Sequence, residues 1–151
     1  MERSITELPL VRSFTREDVE AIAAAEDSPD RQWAEAVLVK DLRPAERLDA
    51  SRIALGDGFV LFTLNAEVSQ FYARFVRKIC PEAVTAAYAN GMIGYLCPAE
   101  QIAEGGYEPR DSAKGFALAG TYPPEIETLI CGALKDLNTR AEISAVKGGG
   151  R

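Results

Sequence analysis

The sequence predicts an α/β fold, a short mixed sheet with packing helices. Three observations point there. Apolar runs of strand length, such as Phe59 to Leu64, alternate with longer segments of helical period. Proline and glycine punctuate the junctions, at Pro29, Pro44, Pro81, Pro98 and Gly105-Gly106. The chain has 151 residues, 47% hydrophobic and 26% charged, enough for one core and too apolar for a disordered chain.

Residues 5–13 (ITELPLVRS) are expected to be extended and at a sheet edge, because Pro9 cannot donate to a central ladder. Thr15 then reads as an N-cap, with Glu17 and Asp18 in the first turn of a helix leading into VEAIAAAED. Ser28-Pro29-Asp30 signals a second helix, with Pro29 at its first position. In RQWAEAVLVKDL, Trp33, Val37 and Leu38 form one apolar stripe, and Arg43-Pro44 ends it. SRIALGDGFVLFTLN predicts two short strands, or a hairpin around Gly56-Asp57-Gly58, the second strand being apolar enough to be buried.

Asn65-Ala66-Glu67 closes that strand, and Glu67 opens the helix VSQFYARFVRKI. Its period sets Val68, Phe71, Phe75 and Ile79 on one side, with Arg74, Arg77 and Lys78 largely on the other, until Pro81 stops it. AVTAAYAN is a third strand, followed by a short turn carrying Asn90, Gly91, Gly94 and Tyr95. Pro98-Ala99-Glu100 begins another helix, which Gly105-Gly106 caps. YEPRDSAKGFALAGTY reads as loop. Pro123-Pro124 opens a last helix, EIETLICGALKDL, with Ile126, Leu129, Ile130 and Leu134 on its buried face. Residues 1–140 thus form a single domain, and residues 141–151 a flexible tail.

Charge and composition exclude several classes. The net charge is −6, and residues 1–50 alone carry 12 acids against 7 bases, so no nucleic acid or anionic membrane surface is expected as a partner. The chain has no histidine, which removes a Ser-His-Asp triad, a Cys-His pair and any His-ligated metal site made by this chain alone. Cys80, Cys97 and Cys131 are too widely spaced for a CxxC motif and sit beside apolar neighbours, so buried free thiols are expected. No run approaches 18 apolar residues and no signal peptide is visible, so a cytoplasmic protein without a transmembrane segment is expected.

In open α/β sheets, functional residues gather beyond the carboxyl ends of strands. Glu67 and the Asn90–Tyr95 turn stand at such ends. Local features alone leave both open: a carboxylate near a helix N-terminus is favoured by the dipole without any function, and glycines account for the turn.

As a set, these segments point further. GDGFVLFTLNAE followed by AYANGMIGYLCPAEQIAEGGYE resembles the C-terminal half of the catalytic domain of neutral, non-lysosomal ceramidases and their bacterial relatives. The likeness rests on Ala66-Glu67, Ala89-Asn90, Tyr95, Pro98 and Gly105-Gly106-Tyr107-Glu108, in that order. It also rests on spacings of five from Asn90 to Tyr95 and twelve from Tyr95 to Tyr107. It is best over residues 51–110 and continues weakly to Leu137 and back to Leu8-Pro9.

The resemblance implies a zinc site bound by two histidines from an N-terminal half and by a glutamate and a tyrosine from this half. Those last two positions fall on Glu67 and Tyr95. Tyr107 resembles a tyrosine that stabilises charge on the reacting carbonyl, and Asn90 is implied to orient the turn or hydrogen-bond in the pocket. Zinc suits this chemistry because it accepts carboxylate oxygen, polarises an amide and lowers the pKa of its water to about 7. One departure stands at the glutamate: the usual Pro-Gly before it is Asn65-Ala66 here.

The expectation is therefore a partial zinc-dependent amidohydrolase domain, inactive without a histidine-bearing half. Zinc is expected only when that half is present, and a lipid amide substrate only in the complete domain. A partner chain or self-association through an exposed apolar face is implied with it. The alternatives are a non-catalytic α/β binding or interaction module that retains the fold, and an unrelated α/β domain in which Glu67 and Tyr95 are structural.

Overall fold

The structure, a computed structural model, describes residues 1–56 and 58–148, the side chains of 145–148 excepted. It is a mixed α/β fold built on a four-stranded sheet. Strand β1 (Glu2–Pro9) lies at one edge, then β2 (Ala45–Ala54), β3 (Val60–Leu64) and, in spatial order, β5 (Ala83–Ala86). The first three are antiparallel neighbours, and β5 joins β3 in parallel. A two-residue strand, β4 (Glu67–Val68), pairs separately with β6 (Tyr95–Leu96). The helices are α1 (Arg16–Ala24), α2 (Arg31–Val39), α3 (Gln70–Ile79), α4 (Ala99–Glu104) and α5 (Ile126–Gly148), with a 3₁₀ turn at Asp111–Lys114.

Strand alternation splits the sheet into two faces. Leu8, Leu48, Ala50, Phe62 and Leu64 point to one of them, where α5 supplies Ile126, Ile130, Leu134 and Leu137, and α3 supplies Tyr72 and Val76. This is the main core. The other face carries Arg3, Ile5, Asp49, Ser51, Ile53, Leu61, Thr63 and Val84. It is only partly covered, with Ile5 42% and Val84 48% exposed. A smaller second core joins α1 and α2 through Val19, Trp33, Ala34, Val37, Leu42 and Ala119. The Trp33 indole N–H reaches out of it to the Leu118 carbonyl at 2.9 Å.

The expected elements are present, and several bounds move. Pro9 closes the edge strand, as its missing N–H requires. Thr15 caps α1 in a full capping box with Asp18. Helix α2 starts at Arg31, so Pro29 precedes the helix instead of opening it. It ends before Pro44, at Val39, where Asp41 and Leu42 turn into the left-handed region and the Leu42 N–H reaches back to the Val37 carbonyl at 2.9 Å. The strand predicted after Ala50 begins earlier, at Ala45, because β1 supplies a partner along its whole length. The β2–β3 connection is the expected hairpin, closed by Leu55 N–H to Phe59 O at 2.9 Å; its Asp57 lies outside the described residues.

Two helix faces are corrected. On α3 the buried residues are Tyr72 and Val76, flanked by the half-buried Phe75 and Ile79, while Phe71 is exposed and Val68 belongs to β4. On α5, Leu129 is exposed and the buried row runs Ile126, Ile130, Leu134 and Leu137. That helix also continues to Gly148, past Leu137 where the pattern places its end. The segment read as loop holds the 3₁₀ turn, and its Ala113, Leu118 and Tyr122 lie in the main core. Cys80 and Cys97 are buried free thiols, and Cys131 is free and half-buried. No helix among the described residues is long and apolar enough to cross a membrane.

Candidate metal half-site

Glu67 lies beyond the carboxyl end of β3. It does not open a helix: Glu67-Val68 is a short strand, and α3 begins at Gln70 with Ser69 as its N-cap. The pairing that decides this is non-local. The Glu67 N–H bonds the Gly94 carbonyl at 3.1 Å and the Ser69 N–H bonds the Leu96 carbonyl at 3.0 Å. These fix the parallel register Glu67–Tyr95 and Val68–Leu96. In-register residues on neighbouring parallel strands present their side chains to the same face, about 5 Å apart at the backbone. Glu67 and Tyr95 are therefore side by side, both half-buried.

The segment between β5 and β6 is laced onto this strand end. Tyr88 N–H bonds Ala66 O at 3.0 Å, Ala89 N–H bonds Leu64 O at 2.9 Å, and Ile93 N–H bonds Asn65 O at 3.0 Å. Tyr88, Asn90, Gly91 and Gly94 all adopt positive φ within it. At Gly94 a side chain is disfavoured by the φ of +94°, and a Cβ there would also press on Leu118 Cδ1 at 3.1 Å.

A shallow cleft of about 180 Å³ opens beside the pair, lined by Glu67, Val68, Ser69, Tyr95, Cys97, Gln101 and Glu108. The Tyr95 ring is held edge-on between Tyr107, at 6.0 Å between centroids, and Phe116, at 5.7 Å. The neighbouring Glu67 carboxylate is the leading cause that raises the Tyr95 phenol above its ordinary pKa; partial burial and the charges of Tyr107 and Glu108 add to it. The same carboxylate is the leading cause that pushes Tyr88 up to about 12. Cys97, at the rim, is pushed up to about 11 by burial and then by Glu108, so it is a protonated thiol at neutral pH.

Of the four residues singled out from sequence, three come together: Glu67, Tyr95 and Tyr107. Tyr107 is 61% exposed and touches the group through its ring contact with Tyr95. Asn90 does not join them. It lines a different depression, of about 530 Å³, with Arg3, Asp49, Ser51 and Thr63 on the less covered sheet face. There its φ of +65° suits asparagine as a turn residue. Glu108, named from sequence only as part of the Gly105–Glu108 motif, lines the cleft beside Glu67.

As a metal site the set is half complete. Glu67 and Tyr95 supply adjacent oxygen donors of the kind zinc accepts, and no imidazole is present to join them. Among the described residues, no three His, Cys, Asp or Glu side chains gather closely enough to hold a metal ion. The donor set fits zinc only with ligands from elsewhere. Comparison of the chain with protein-family models, with curated proteins and with solved structures gives no match.

Proposed function

We propose that this chain is the oxygen-ligand half of a zinc-dependent amide hydrolase of the ceramidase-like kind, completed by a histidine-bearing half. The observation that carries the reading is the register of Glu67 against Tyr95, which sets a carboxylate and a phenol side by side at the mouth of a cleft. Zinc, held by these two and by histidines of the other half, would act as a Lewis acid on an amide carbonyl. This chain's own part is to aim Glu67, to hold the Tyr95 ring between Tyr107 and Phe116, and to bring the Tyr107 phenol near the reacting carbonyl. The sheet face bearing Ile5, Ile53, Leu61 and Val84 supports the second element of the reading, a surface on which the other half docks. A lipid amide is the substrate class for the completed domain, and the chain alone is inactive.

The test is a search of the neighbouring reading frames for a chain with paired histidine motifs, followed by zinc content by elemental analysis of this chain purified alone and co-purified with that chain; finding no such chain counts against the proposal. The expected result is near-stoichiometric zinc in the complex, almost none in the chain alone, and loss of the metal with Glu67→Gln. A complex that keeps its zinc with Glu67→Gln sinks the proposal. The second reading, a non-catalytic interaction module, is favoured by the same sheet face. It gains if a complex forms through that face and holds no zinc.

A further inference from the structure

The seam between the α1–α2 cap and the main body holds a cavity of about 510 Å³, a size that takes a small ligand. It shares no lining residue with the Glu67 cleft. One wall comes from the cap, with Phe14, Ile22 and Trp33, and the other from the main core, with Leu118. Contacts across and along the seam fix both walls in advance. Phe14 meets Trp33 edge-on at 5.0 Å between centroids, and the Trp33 indole N–H is taken by the Leu118 carbonyl at 2.9 Å. Val11 and Thr121, also in the lining, exchange two backbone bonds. Phe14 and Ile22 are left only half-buried.

One side chain gives this apolar cavity a charged end. Lys114 Nζ lies 5.4 Å from the centre of the Trp33 ring and bonds the Asp30 carboxylate, which is not part of the lining. An ammonium has three N–H donors, and Asp30 accepts one of them. The other charges of the lining, Arg110 and Asp111, offset each other in an ion pair of 3.0 Å. The lining is therefore net positive, in a chain whose net charge is −6. An apolar body carrying one anionic group matches both the walls and the charge. We propose that this cavity binds a small apolar monocarboxylate, its body against Phe14, Ile22, Trp33 and Leu118 and its carboxylate on Lys114. The site needs neither zinc nor Glu67, so it and the metal half-site can fail separately.

The experiment is titration of the whole chain with 3-phenylpropionate and with 3-phenylpropanol, which has the same body without the charge. Trp33 is the chain's one tryptophan and lines the cavity, so its emission and its indole N–H resonance read binding directly. The expected result is a saturable change in both signals, with the acid bound about tenfold more tightly than the alcohol. Lys114→Gln should remove that preference and leave the affinity for the alcohol unchanged, whereas Lys114→Arg should keep it. The Lys114–Asp30 pair is largely exposed, so both variants should melt close to wild type. No saturable response to the acid overturns the proposal, as does equal affinity for acid and alcohol, or a preference that survives Lys114→Gln. Resonance shifts centred on Glu67 and Tyr95 instead of Trp33 would place the acid in the other cleft and overturn it too.

Discussion

Asn65 and Asp49 face each other where β3 has already ended, and the Asn65 side chain takes over the ladder. Its Oδ1 accepts the Asp49 backbone N–H at 2.8 Å, and its Nδ2 donates to the Arg47 carbonyl at 3.0 Å. A carboxamide thus does the work of one more strand residue, while its own backbone carbonyl is free to take the Ile93 N–H. This gives a physical role to Asn65 at the end of the strand. Asn65→Ala leaves a buried donor and a part-buried acceptor without partners and should cost about 2–4 kcal/mol in urea unfolding. A loss below about 0.5 kcal/mol would show that water replaces the amide fully.

The same segment makes stability depend on acid. Asp49 is nearly buried and accepts two bonds from the Arg3 guanidinium, at 2.8 and 2.6 Å. The hydrogen bonds from Arg3 lead in holding its carboxyl below the ordinary range, against partial burial and with help from the charges of Arg3 and Arg47. A depressed folded-state pKa adds stability that is present above the unfolded value, about 3.9, and is lost as pH falls through the folded value. Arg3→Gln should therefore be less stable than wild type at neutral pH, with the gap closing in strong acid. Urea midpoints across pH measure this, and a gap constant with pH contradicts it.

The corrected face of α3 is testable at two adjacent aromatic residues. Tyr72 is fully buried and its hydroxyl donates to the Cys97 carbonyl at 3.0 Å, whereas Phe71 stands at the surface. Tyr72→Ala should cost about 3–5 kcal/mol and Phe71→Ala about 1 kcal/mol or less. Equal losses in chemical denaturation would put the helix back on the face read from its sequence.

Two glycines make an opposed pair. A Cβ at Gly120 would sit on the Val11 carbonyl oxygen, where Val11 and Thr121 exchange backbone bonds of 2.8 and 3.0 Å. Gly120→Ala should lower stability by about 2–4 kcal/mol and speed amide exchange at Val11 and Thr121. Gly132 is an exposed position inside α5 with nothing near a new Cβ. Gly132→Ala should raise stability by about 0.5–1 kcal/mol through helix propensity, and a melting point below wild type would count against that.

What the sequence reveals and what it hides divide by range. Thr15 as a cap, Gly105 as a C-cap, Pro9 at an edge and the β2–β3 hairpin follow from interactions spanning a few residues, and all are found. Glu67 is misread as a helix start because its strand partner is Tyr95, 28 residues on, and no local period reports that pairing. Phe71 and Leu129 fit a helical stripe as well as their buried neighbours do; which stripe is covered depends on where α3 and α5 dock. Nothing in residues 107–122 alternates, so their contribution to the core is invisible without the sheet they fold over. For the site, the resemblance names Glu67, Tyr95 and Tyr107, which the fold gathers, whereas Asn90 goes to another depression.

The position of Trp33 decides what fluorescence can see. It is the chain's one tryptophan, and it belongs to the α1–α2 cluster and not to the core beneath the sheet. Its emission therefore reports that small cap and, through the indole bond to the Leu118 carbonyl, the seam where the cap meets the main core. Circular dichroism, weighted by the long α5, follows the larger body instead. If the cap melts first, the two probes will trace separate transitions, and a single unfolding free energy will not describe the chain.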